Sequence, residues 1–144
     1  MSRIVSFRGS IADGGQETIP LQTNNGLTGY KIVKFQIMPA ESANNFESTV
    51  KIYSIPQTAV DSVVDFSDNT LLGAAFTGLI SGGYAGSKTI IHDNIYFNQD
   101  IYVTAQDLSA SQNTNYYIEL EQRKLDLNEQ TVATLKDIRN VGAQ

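Results

Sequence analysis

The sequence has no cysteine, no tryptophan, one histidine and three prolines. Without cysteine there is no disulfide framework, no thiolate nucleophile and no zinc or iron–sulfur site held by sulfur. A single histidine excludes a His-rich metal site within one subunit. Charge is also thin: 17% of the residues are charged, below the usual quarter. Fifteen acids against ten bases leave a net charge of −5, and no basic cluster stands out along the chain. Such a chain is poorly suited to grip phosphate backbones, so no direct nucleic-acid contact is expected. No stretch approaches the roughly 18 to 20 apolar residues that span a bilayer, so no membrane contact is expected. Met1 to Gly9 lacks the apolar core of a signal peptide. The expectation is synthesis in a cytoplasm.

What fills the space left by charge is uncharged and polar. Ser, Thr, Asn and Gln together number 45 of the 144 residues. Hydroxyl and amide side chains suit sheet surfaces and turns better than helix interiors. The length fits one domain of ordinary size, able to bury a core without a covalent staple. Composition therefore favours an all-β domain with many loops.

The residue order supports that class. Arg3 to Arg8 is a short strand signal, closed by Gly9-Ser10. Asp13-Gly14-Gly15-Gln16 is a turn, and Glu17 to Leu21 is a second extended piece that Pro20 confines to an edge or a strand end. Thr23-Asn24-Asn25-Gly26 marks another turn. In Tyr30 to Met38, Val33, Phe35 and Ile37 alternate with Lys34 and Gln36. In Phe46 to Ile55, Phe46, Val50 and Ile52 share a face opposite Glu47, Thr49, Lys51 and Tyr53. Val60 to Phe66 is mixed, because Val63 falls opposite Val60, Val64 and Phe66. Thr70 to Ser81 fits either a short buried helix or two strands, with Gly73 and Gly78 weakening the helix. Ser87 to His92, Ile95 to Phe97, Asp100 to Ala105 and Tyr116 to Leu120 read as extended. In the last of these, Tyr116, Ile118 and Leu120 face opposite Tyr117, Glu119 and Glu121.

The tail changes period. Val132, Leu135 and Ile138 recur every three residues, and Asp126 with Glu129 has capping-box spacing. Lys136 and Arg139 stand where they oppose a helix dipole, and Gly142 is a natural stop. The expected architecture is an antiparallel, jelly-roll-like β-sandwich of about eight strands over residues 1–125, with a short amphipathic C-terminal helix within 126–144. So short a helix is marginal alone, so its apolar stripe must dock on the sandwich or on a neighbouring subunit.

Catalytic signatures are missing: no G-x-S-x-G, P-loop, H-E-x-x-H or G-x-G-x-x-G occurs. A Ser–His pair has only His92 to use, and His92 reads as a strand-end residue before a turn. Asp61, Asp65 and Asp68 faintly suggest a calcium loop but lack the alternating Asp ligands, the glycine and the distal Glu. A solvated acidic loop fits them better. Tyr96, Tyr102, Tyr116 and Tyr117 lie on neighbouring extended segments, as cross-strand pairs or as part of an interface. No enzymatic activity, cofactor or metal is expected.

Three stretches carry a resemblance. Met1-Ser2-Arg3-Ile4-Val5-Ser6-Phe7-Arg8-Gly9, Asn25-Gly26-Leu27-Thr28-Gly29-Tyr30-Lys31-Ile32, and the closing stretch that runs from Asn115-Tyr116-Tyr117-Ile118-Glu119-Leu120-Glu121 to Thr131-Val132-Ala133-Thr134-Leu135-Lys136-Asp137-Ile138-Arg139 resemble small virion structural proteins of marine tailed phages such as cyanophages. The resemblance implies a non-enzymatic virion protein that decorates or cements the capsid, contacting the major capsid protein or another virion protein. A neck, tail or fibre-associated component is the alternative, and a carbohydrate-binding β-sandwich is a third reading. A homo-oligomer is expected. Assembly contacts are assigned to Ile4 and Phe7 on the N-terminal strand and to Val132, Leu135 and Ile138 on the terminal helix.

Overall fold

A computed structural model of the chain describes residues 2–23, 26–41, 46–79, 88–109, 111–126 and 128. The expected terminal helix, with Val132, Leu135 and Ile138, lies outside them. Eight strands follow one another: β1 (Ser2–Ile11), β2 (Gln16–Ile19), β3 (Thr28–Pro39), β4 (Phe46–Tyr53), β5 (Leu71–Leu79), β6 (Lys88–His92), β7 (Ile101–Asp107) and β8 (Thr114–Lys124). They form two antiparallel sheets, a small one in the order β1-β8-β3 and a large one in the order β2-β7-β4-β5-β6.

That order is a rolled ribbon. An antiparallel ribbon folded at its middle pairs the first strand with the last, the second with the seventh, the third with the sixth and the fourth with the fifth. Here β1–β8, β2–β7 and β4–β5 are full ladders. The fourth pair is reduced. Strand β6 stays on β5, and the chain beyond it reaches β3 through one bridge, in which Tyr30 and Phe97 exchange both backbone hydrogen bonds at 2.8 Å. Rolling also brings β8 beside β3 and β7 beside β4, so this is a jelly roll with its sixth strand left on the large sheet.

The core lies between the sheets. Phe35, Ile118 and Leu120 from the small sheet meet Val50, Ile52, Ile101 and Val103 from the large one, all essentially inaccessible. Full burial of each such side chain contributes about 1.5–3 kcal/mol. Strand β8 alternates as its sequence predicts, with Tyr116, Ile118 and Leu120 buried and Tyr117, Glu119 and Glu121 outward.

Three expectations need correcting. In β3 the register shifts between Ile32 and Lys34, so the inward set is Ile32, Phe35 and Ile37, and Val33 turns out to 39% exposure. A bulge adds one residue and swaps the faces on either side of it. In β4 both sides are buried, Thr49, Lys51 and Tyr53 as well as Val50 and Ile52. The segment 54–70 supplies part of that cover, since Asp61 and the Val63 carbonyl hold Lys51, and it forms no strand where Val60 to Phe66 hinted at one. Finally, Leu71 to Leu79 is one strand, neither a helix nor two strands.

Loops are pinned by buried or half-buried carboxylates. Asp107 accepts the N–H groups of Glu47, Ser109 and Gln112. Asp100 accepts those of Leu21 and Gln22 at 2.8 and 2.9 Å. Gly14, at φ +78°, lets the Asp13-Gly14-Gly15 turn send its N–H to Ala105 at 2.8 Å.

Candidate assembly surfaces

Of the sequence's candidates for chemistry, His92 and Asp68 border one groove, while Asp61 and Asp65 do not line it. His92 ends β6 beside an open groove of about 670 Å³, bordered by Phe66, Leu71, Ala74, Ile91 and Asp93. Among the described residues no serine borders that groove. Gly73 allows the close packing there, since a Cβ on it would sit 3.3 Å from the Cβ of His92.

The acidic segment is held by its own neighbours. Asp65 accepts from the N–H and hydroxyl of Ser67, and Asp68 from the N–H and hydroxyl of Thr70. These are turns closed by a side chain two residues back. Asp61 accepts from Lys51 and from the Val63 N–H. The Lys51 ammonium foremost, then the Val63 N–H, keep the Asp61 carboxyl below its usual range, and the Ser67 hydroxyl and N–H do the same for Asp65. Among the described residues no three His, Asp or Glu side chains group as metal ligands.

The tyrosines split between core and surface. Tyr116 is buried, and its hydroxyl donates to Glu17 of β2, tying the two sheets together. Burial, and then the hydrogen bond and charge of Glu17, push its phenol far above the ordinary tyrosine value. Tyr96 and Tyr117 lie on the outer face of the small sheet, where their hydroxyls donate to Glu121 and Glu119. Lys31 stands 3.5 Å from Glu121, and the Arg123 guanidinium lies 4.1 Å from the centre of the Tyr96 ring. The Tyr96 hydroxyl first, then Lys31 and Arg123, hold the Glu121 carboxyl below its usual range.

That sheet gathers the bases that look scattered in the sequence. Its three strands carry Arg3, Arg8, Lys31, Lys34, Arg123 and Lys124 against only Glu119 and Glu121. The rest of a chain of net charge −5 therefore carries thirteen acids and four bases. No sequence cluster signals this, because the pairing of β1, β8 and β3 creates it.

Of the expected contact residues, the structure describes Ile4 and Phe7. Both lie on β1, the end strand of the small sheet. Ile4 is on the outer face at 55% exposure, while Val5 and Phe7 pack against the core and stay partly exposed. Among the described residues no strand pairs with the other edge of β1. Its register with β8 runs unbroken over ten residues. The other edges are blunted: β2 has four residues and runs into Pro20, β6 has five, and β3 is met by Phe97 and by Lys88, whose ammonium donates to Gln36. No described helix is long and apolar enough to cross a membrane. No protein-family model matches this chain, and no curated protein matches it either.

Proposed function

We propose that this is a non-enzymatic structural protein of a phage particle, one that decorates or cements the capsid through repeated protein–protein contacts. The observation that carries the reading is the edge of β1 with which no strand pairs among the described residues. A regular ten-residue strand without proline or bulge leaves a row of backbone donors and acceptors for another chain. Ile4 and Phe7 of the resembling N-terminal stretch stand on that strand. A repeating lattice multiplies weak contacts of this kind. The terminal segment, with Val132, Leu135 and Ile138, is assigned the second contact.

The test is binding to purified particles. Deleting residues 127–144 is expected to abolish binding and to leave a folded β-rich protein. Retained binding would overturn the tail assignment, and no binding by the full chain would overturn the function. Copy number separates capsid from tail: a decoration protein approaches the number of capsomer sites, a neck or tail part a dozen or fewer.

A sugar-binding role is the second reading. It is favoured by Phe66, 69% exposed at the rim of a groove that Asp68, Asn69 and Asp93 also border. A glycan array showing no binding, with or without chelator, removes it.

A further inference from the structure

We propose that β1 pairs with the β1 strand of a second copy, antiparallel across a two-fold axis at Ser6. The inference rests on the reading of β1 as an assembly edge and names its occupant.

Antiparallel pairing sets residues of the same face opposite each other. With Ser6 on the axis, Val5 of each copy meets Phe7 of the other, and Ile4 meets Arg8. Arg3 then meets Gly9, and Ser2 meets Ser10. Each consequence fits an observed property. Val5 and Phe7 pack on the core yet remain partly exposed, and this register covers both. Ile4, at 55% exposure, gains the aliphatic stem of Arg8. No arginine stands opposite an arginine, and the two Arg8 positions are offset by four residues, about 13 Å along the strand. A C2 interface must be self-complementary in this way. The result is one continuous six-stranded sheet, in the order β3-β8-β1-β1-β8-β3. No other described edge is long and regular enough to do the same.

The chain contains no cysteine, so single-cysteine variants report the register cleanly. Ser6→Cys is expected to give a disulfide-linked dimer under mild oxidation, because directly opposed Cα atoms of antiparallel strands lie about 4.5–5.5 Å apart, inside the span that a disulfide bridges. Ile4→Cys and Arg8→Cys are each expected to form no disulfide alone and to cross-link when mixed. Ser6→Lys places two ammonium groups face to face on the axis. In the free subunit the same side chain stands opposite Glu119, so the variant keeps its fold by circular dichroism while the sedimentation-derived dimer fraction falls at least tenfold.

A wild-type chain that sediments as a monomer at about 100 μM, far above a typical micromolar dissociation constant, overturns the proposal. So does Ile4→Cys cross-linking to itself as readily as Ser6→Cys, which means another register. So does dimerisation seen only after deletion of residues 127–144, which means that the chain's own tail occupies the edge. If Ser6→Lys loses particle binding while the wild type is a monomer, self-pairing fails and β1 stands as an assembly edge. A dimer that binds no particle leaves this proposal intact and removes the virion function.

Discussion

Lys51 offers a quantitative test of how the large sheet is covered. Its side chain is 3% exposed, yet it is charged. The ammonium donates to Asp61 at 2.8 Å and to the Val63 carbonyl at 2.6 Å, and lies 5.5 Å from the centre of the Tyr53 ring. Two substitutions separate the charge from the stem. Lys51→Met keeps the aliphatic bulk and removes the ammonium. Hydrogen bonds involving a charged group contribute about 1.5–3 kcal/mol. Against that, the cost of burying the ammonium vanishes, and Asp61, with 61% of its side chain exposed, is solvated in its place. The expected loss is about 1–2 kcal/mol. Lys51→Ala also deletes three methylenes at about 0.8 kcal/mol each, for a total of about 3–4 kcal/mol.

Urea denaturation at neutral pH measures both variants, with Lys88→Ala as an exposed control. Equal midpoints for Lys51→Ala and Lys88→Ala would refute the reasoning. A stabilised Lys51→Met would refute the part assigned to the charge. Burial alone would lower the Lys51 pKa, but the hydrogen bonds and charges of Asp61 and Tyr53 outweigh it and leave the value raised. A raised base contributes stability that is present below the ordinary lysine range and lost as pH rises through the folded value. The lowered Asp61 contributes above the ordinary carboxylate range and is lost as pH falls through its folded value. Lys51→Met should flatten the stability profile at both ends.

Two further substitutions probe how the layers are joined. Tyr116→Phe removes the hydroxyl that reaches Glu17, and an expected loss of about 1–2 kcal/mol in thermal or urea melts follows. The folded state holds that phenol neutral, so stability should be intact below the ordinary tyrosine range and fall above it, with Tyr116 ionising only on unfolding in an ultraviolet titration. At Gly29 an added Cβ would lie 2.6 Å from Cδ2 of Leu125, itself 3% exposed. Gly29→Ala should therefore cost about 1–3 kcal/mol, and combining it with Leu125→Ala should cost less than the sum of the two.

Local alternation carried much of the fold. Tyr116, Ile118 and Leu120 read correctly because β8 is central in its sheet, with one face on the core and one on the surface. The reading failed where other segments or a local irregularity changed a residue's surroundings. Thr49, Lys51 and Tyr53 alternate along the strand, but the segment 54–70, which directly follows it, turns back and covers Lys51. Leu71 to Ala75 is buried throughout, and a strand buried on both faces has no period to read. Val33 broke the pattern through a bulge that no single residue announces. The site follows the same rule. Ile4 to Phe7 is legible as a strand from its own residues, but its place at an edge depends on which strands flank it, and that is a property of the whole roll.

Charge placement bears on how copies approach one another. The small sheet is basic on an otherwise acidic molecule, with Lys31, Lys34, Arg8 and Arg123 flanking Glu119 and Glu121. Such polarity steers and orients encounter more than it adds affinity. Joining two small sheets through β1 brings like-charged sheets side by side, so association across the Ser6 axis works against their repulsion. Salt at physiological strength screens charges beyond about 8 Å, and the offset between the two Arg8 positions exceeds that. The dimer should therefore strengthen as salt rises from low values. An acidic partner surface bound by the outer face of the joined sheet should weaken over the same range. The opposite signs of the two salt dependences separate pairing between copies from docking onto a lattice, even when both use the same sheet.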